Sequence, residues 1–154
     1  RKQDHAAIDR ALALTGMTGY RNRLLDSLSG GERQRAWIAL ALAQSTSILL
    51  LDEPTTYLDI RHQMEVLELV KRLNQEEGMT VMIVLHDLNQ AAQVADRMIV
   101  LQHGRVVEDG PPETVLTVAM LEQVFGIHAH VLESPDGGRP YFIPGSVARR
   151  TSLA

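Results

Sequence analysis

The chain has 154 residues, 45% hydrophobic and 22% charged, with a net charge of −4 and a sequence pI near 5.8. That is one domain's worth of sequence with enough apolar surface for a core and too little net charge for disorder. The acidic balance excludes nucleic-acid binding through a basic sheath, the absence of cysteine excludes disulfides and thiolate metal sites, and no apolar run reaches the roughly 18 residues of a membrane span. The charged start, from Arg1 to Arg10, lacks the apolar stretch of a signal peptide. These features lead to the expectation of a soluble, cytoplasmic, non-redox domain.

Residues 4–14 carry Ile8, Leu12 and several alanines at helical spacing, and Gly16 ends the run. Residues 19–27 are polar and irregular, with Leu24 and Leu25 as anchors. Gly30 and Gly31 lead into 32–44, where Trp37, Ile38, Leu40, Ala41 and Leu42 predict a largely buried helix. Residues 48–51 form a short continuous apolar run, expected for a strand buried on both faces of a parallel sheet, and Pro54 forbids its continuation. Residues 60–76 predict an amphipathic helix with Met64, Leu67, Val70 and Leu73 on one face and Gly78 as a stop. A second buried strand follows at 80–85. Residues 87–95 predict a helix with Asp87 as N-cap, and 98–102 and 105–108 predict strands around His103-Gly104. Pro111-Pro112 opens a helical stretch that 121–125 continues to Gly126. From Ala129 the strand signals weaken (Val131-Leu132 and Tyr141-Phe142-Ile143, around Asp136-Gly137-Gly138), and 151–154 are expected to fray.

Buried strands alternating with helices point to an α/β fold with a parallel sheet, whose ligands bind at the carboxyl ends of the strands. The two strongest strands end at Asp52-Glu53 and at His86-Asp87. Asp52 offers the hard oxygen that Mg²⁺ prefers, and Glu53 could orient and polarise an attacking water. Taken alone, such a pair is more often a strand end meeting solvent. Ser29, Gly30 and Gly31 before a helix place unpaired N–H groups and the positive end of the helix dipole where a phosphate can approach closely. Ser29 with Glu32 also matches a capping box, and the two readings are compatible. A lone His86 would ordinarily be a satisfied core histidine. His5, His62, His103, His128 and His130 show no ligand spacing supported by acids.

The ordered combination is more specific than its parts. It resembles the ATP-binding-cassette (ABC) transporter ATPases: residues 28–34 look like the signature sequence, 48–53 like the Walker B strand, 56–59 like the D-loop and His86 like the switch histidine. The resemblance runs from about Asp4 to about Pro144. Glu32 stands where the signature most often has glutamine. More narrowly, residues 34–40, 52–63 (DEPTTYLDIRHQ) and 84–91 (VLHDLNQA), with Gly138-Arg139-Pro140 and Ile143-Pro144, look like the ATPase subunits of iron(III)-siderophore importers. Heme and cobalamin importer subunits are the alternatives.

This resemblance implies a P-loop NTPase-like parallel sheet flanked by helices. Residues 1–45 would end the helical signature subdomain, 46–126 would form half of the catalytic core, and 127–154 a C-terminal extension. The implied cofactors are ATP and Mg²⁺, with Asp52 serving the magnesium directly or through water, Glu53 the attacking water and His86 the γ-phosphate. Ser29, Gly30, Gly31 and Glu32 would face ATP held by a second ATPase subunit in a head-to-tail homodimer, and Asp59 would lie at the dimer seam. The implied setting is the cytoplasmic face of the inner membrane, on permease subunits, with no nucleic acid and no direct contact with the transported compound.

A P-loop needs G-x-x-x-x-G-K-[ST]. Lysine occurs only at Lys2 and Lys71, and neither follows a glycine. The chain is therefore expected to be the C-terminal portion of a longer subunit, inactive alone. The resemblance also implies that the P-loop strand lies between the 80–85 and 98–102 strands, so that strand edges and an apolar slot are left open and favour self-association. A soluble ABC ATPase and a non-hydrolytic half-cassette remain rivals.

Overall fold

Local side-chain chemistry sets where four of the helices begin. The computed structural model describes residues 2–133 and 138–148. Asp136 and Gly137 of the expected turn, and the expected fraying end, lie outside the described residues. In chain order the elements are α1 (Lys2–Leu14), α2 (Gly30–Leu42), β1 (Ile48–Asp52), α3 (Ile60–Gln75), β2 (Thr80–Val84), α4 (Leu88–Val94), β3 (Met98–Gln102), β4 (Arg105–Gly110), α5 (Pro112–Val115), α6 (Val118–Phe125), β5 (Ile127–Glu133) and β6 (Pro140–Val147), with 3-10 turns at Thr18–Tyr20 and Leu25–Ser27. Ser29, Asp59, Asp87 and Thr117 each cap a helix by accepting a backbone N–H. Gly126 ends α6 in the left-handed conformation, φ 66°, where a side chain would be strained.

The chain divides into two compact units, Arg1–Leu85 and His86–Ala154. In the first, α1 packs on α2 and α2 on α3. Ala11, Ile38, Leu42, Leu49, Val66, Leu69 and Leu73 share one core. β1 and β2 pair in parallel, from Ile48 opposite Thr80 to Asp52 opposite Val84. Such a pair needs a crossover, and α3 supplies it.

Three expectations are corrected here. The two strands are covered on one face only. Leu49 is buried and Leu51 and Val81 pack on the core, while Ile48, Leu50, Met82 and Val84 are exposed, Leu50 to 68%. A continuous apolar run does not by itself distinguish one covered face from two. Likewise α2 is buried along a stripe rather than all round: Ile38, Ala39 and Leu42 are inside, whereas Trp37 and Leu40 are exposed. On α3 the buried set is Val66, Leu67, Leu69, Val70 and Leu73, and Met64 is exposed.

In the second unit, β3 and β4 form an antiparallel hairpin with a register shift between Val100 and Leu101. Its core joins Ala92, Met98, Val100, Val115, Leu116, Met120, Leu121 and Ala129. The weak strand signals near the end belong to a second antiparallel hairpin, β5–β6, longer than those signals suggested. It docks on α4 through side chains. Asn89 Nδ2 donates to the Phe142 carbonyl at 3.0 Å, and the Phe142 N–H donates to Asn89 Oδ1 at 2.8 Å. Arg139 donates to the carbonyls of Ala92 and Ala95 at the end of α4, where a cation also suits the helix dipole.

Candidate functional site

The glycine-rich tip of α2 is built on buried Leu28. Ser29 Oγ accepts from the Glu32 N–H at 3.3 Å, and Glu32 Oε2 accepts from the Ser29 N–H at 2.9 Å, a complete capping box. The bond from Ser29 N–H, with a further one from the Tyr20 hydroxyl, holds the Glu32 carboxyl below the usual carboxylate range. The same contact with Glu32 pushes the Tyr20 hydroxyl up. Arg23 lies over the Tyr20 ring, 5.0 Å from its centroid. Ser29 and Gly30 are exposed. The tip is thus capped and still open to an anion: a hydroxyl that accepts in the cap keeps its own proton for a phosphate oxygen.

The carboxyl end of β1 presents Asp52, which is exposed, and Glu53, which is half-buried. Glu53 has φ 48°, the left-handed region that non-glycine residues seldom occupy. Its N–H still donates to the Val84 carbonyl at 3.1 Å, so the parallel pairing runs to the bend itself. Thr56 then folds back: its N–H donates to the Glu53 carbonyl at 3.2 Å and its hydroxyl to Glu53 Oε2 at 3.3 Å. Pro54 and Thr55 are buried beneath this turn. Among the described residues no three histidines or acids cluster as a self-contained metal cage. A strand-end carboxylate suits Mg²⁺ better, because that ion takes one or two carboxylates and fills its shell with water and phosphate.

Asp59 begins α3. Its Oδ1 accepts from the His62 N–H at 2.9 Å and faces His62 Nδ1 at 2.8 Å. The first of these bonds is the main reason its carboxyl is held below the usual range. His62 in turn packs on the α2 tip. Gly31 is buried, and a Cβ built there would lie 2.8 Å from His62 Cγ. The structure therefore brings Gly31 and Asp59 against one side chain, which the sequence reading had passed over. The Asp-x-x-His start of α3 was the available signal. His86 belongs to the second unit, where it is exposed immediately before Asp87, the cap that accepts from the Gln90 N–H at 3.0 Å.

Residues 1–56, which hold the α2 tip and the two acids of β1, match the profile of the family described as ABC transporter. Over 149 residues the chain is 54% identical to FpuC, the petrobactin import ATP-binding protein of Bacillus anthracis, covering 97% of this chain and 54% of that protein. The chain belongs to the ATP-binding-cassette (ABC) family. Another ABC relative is FhuC, the iron(3+)-hydroxamate import ATP-binding protein of Bacillus subtilis strain 168, 50% identical over 138 residues, 90% of this chain and 51% of that protein. A solved ABC transporter of the metal-chelate type, in an inward-facing conformation, matches with a TM-score of 0.84 at 31% identity, covering 94% of this chain and 58% of that one. The chain spans about half the length of the curated ABC relatives it matches.

Proposed function

We propose that this chain is part of the ATP-hydrolysing subunit of an ABC importer that takes up iron(III)-siderophores. The observation that carries the reading is the 54% identity to a petrobactin import ATP-binding protein across nearly the whole chain, including the α2 tip, the β1 acids and the residues around His86. Residues 1–45 would end the signature subdomain, 46–126 would supply half of the catalytic core, and 127–154 a C-terminal extension. Two such subunits would pair head to tail on a membrane permease at the cytoplasmic face of the inner membrane. Among the described residues no helix is long and apolar enough to cross a membrane.

In this reading each side chain has one task. Glu53 orients and polarises the attacking water, its carboxylate steadied by the Thr56 hydroxyl. His86 donates to the γ-phosphate. Ser29 donates its hydroxyl proton, and Gly30 and Gly31 their N–H groups, to the γ-phosphate of ATP held by the partner subunit. The negative charge of Glu32 is bound by Ser29 N–H and Tyr20, which limits its repulsion of that phosphate. Asp52 would hold Mg²⁺, directly or through water, and the ion when bound neutralises charge on the phosphates. ATP binding closes the dimer, hydrolysis reopens it, and the permease follows.

The test uses a full-length subunit carrying this sequence. Glu53→Gln should lower ATP turnover by about 10²- to 10⁴-fold and preserve ATP-driven dimerisation. Unchanged turnover refutes the role of Glu53. Uptake of radiolabelled iron(III)-siderophore, restored in cells lacking their own importer ATPase, tests the cargo. Restoration of heme or cobalamin uptake alone would move the assignment to those importers.

A further inference from the structure

We infer that His62 is a positioning residue that keys the α2 tip to the Asp59 loop, and that glycine is required at 31 by this internal contact rather than by the phosphate. The inference deepens the reading above and rests on it for the claim that tip and loop face one nucleotide.

Three observations converge. Gly31 is buried, and a Cβ there would lie within 2.8 Å and 3.1 Å of His62 Cγ and Cβ. These atoms are close to the main chain of α3, so they cannot swing aside as the end of a long side chain would. His62 is also held from its other side. Its Nδ1 is 2.8 Å from Asp59 Oδ1, and its backbone N–H is already committed to the same oxygen at 2.9 Å. The loop before it is fixed as well. Gln63 Nε2 donates to the Leu58 carbonyl at 2.9 Å, and a Cβ at Gly30 would touch Leu58 Cδ2 at 3.4 Å.

The two glycines therefore differ. A methyl at Gly30 meets only ordinary van der Waals contact inside the protein, whereas a methyl at Gly31 meets the imidazole. Gly30 stays free for an anion to approach, and Gly31 sets the spacing between tip and loop. Asp59 and the tip would then act as one preassembled half-site, with the imidazole as the piece between them.

The experiment is a substitution cycle in the full-length subunit, read by melting temperature and by kcat and KM for ATP. His62→Ala removes the Cγ and ring atoms that face Gly31, whereas His62→Asn keeps a donor near the position of Nδ1 and still sets heavy atoms against Gly31. Gly31→Ala should lower both the melting temperature and kcat, the latter by about tenfold or more, as overpacking a tight contact does. His62→Asn alone should stay within about threefold of wild type, and Gly31→Ala combined with His62→Ala should lose little more than His62→Ala alone, whereas Gly31→Ala combined with His62→Asn should stay as impaired as Gly31→Ala. His62→Ala, which drops the second bond to Asp59, should lower kcat more than it raises KM, and His62→Asn should rescue that loss. If the kcat losses of Gly31→Ala and His62→Ala simply add in their combined variant, the phosphate demands the glycine, and the inference falls while the ATPase reading stands. If wild type hydrolyses no ATP, that reading falls, and the melting temperatures decide the contact: additive losses overturn it and compensation supports it.

Discussion

Replacing Asn89 tests whether the C-terminal hairpin holds the helix that follows His86. The Asn89 side chain meets both backbone groups of Phe142, at 3.0 Å and 2.8 Å, as a neighbouring strand residue would. Asn89→Ala removes both bonds from a half-buried place and leaves a peptide N–H and C=O with poorer access to water. Two neutral bonds at about 1 kcal/mol each, less about 0.5 kcal/mol gained because alanine is the better helix former, give a net loss of about 1.5 kcal/mol. In a unit of this size that lowers the melting temperature by about 9 °C. Asn89→Asp should not rescue it, because a carboxylate oxygen would then face the Phe142 carbonyl. Hydrogen exchange followed residue by residue is the sharper assay: the Phe142 amide should exchange about tenfold faster. An unchanged rate at Phe142 in the alanine variant would show that the hairpin is held without Asn89.

Further outcomes are expected of the same chain. Leu73, 1% exposed in the core of the first unit, should cost about 3 kcal/mol as Leu73→Ala, seen as a lower denaturant midpoint. Arg97 Nε donates to Asp109 Oδ1 at 2.6 Å, and its Nη2 to Oδ2 at 2.7 Å, which holds the Asp109 carboxyl below its ordinary value. Because the native value is the lower one, the pair stabilises fully above the ordinary carboxylate range, and its contribution fades as pH falls through the depressed native value. Arg97→Gln should therefore flatten the acid limb of a melting-temperature profile below about pH 4, and an unaltered limb would refute the coupling. The exposed face of β1–β2 should make the isolated chain self-associate. Leu50→Lys with Met82→Lys should lower the mass measured by light scattering, and a wild-type monomer at high concentration would refute this.

Most elements were legible because their signals are local. The 98–102 strand appears with the same ends, and the capping box at Ser29 and Glu32 and the cap at Asp87 follow from residues three apart. What was not legible depends on partners distant in sequence. Nothing in 48–51 says that Leu49 is covered while Leu50 is bare, since both are leucine. The end of the chain was faint because β5 alternates histidines with small and apolar residues and β6 contains Pro144 and Gly145. That hairpin is fixed by Asn89 and Arg139, more than 40 residues away from their partners. For the site, the chemistry-bearing types were visible, but the meeting of Gly31 with His62 required α2 and α3 to be packed together.

The left-handed backbone of Glu53 has a consequence for engineering. Strain of that kind costs on the order of 1 kcal/mol and disappears with glycine. Any library screened only for heat resistance should drift toward glycine or asparagine at this one position. The variants that survive best would be those that had surrendered the carboxylate, so durability should trade, at a single codon, against the water-activating role proposed for Glu53.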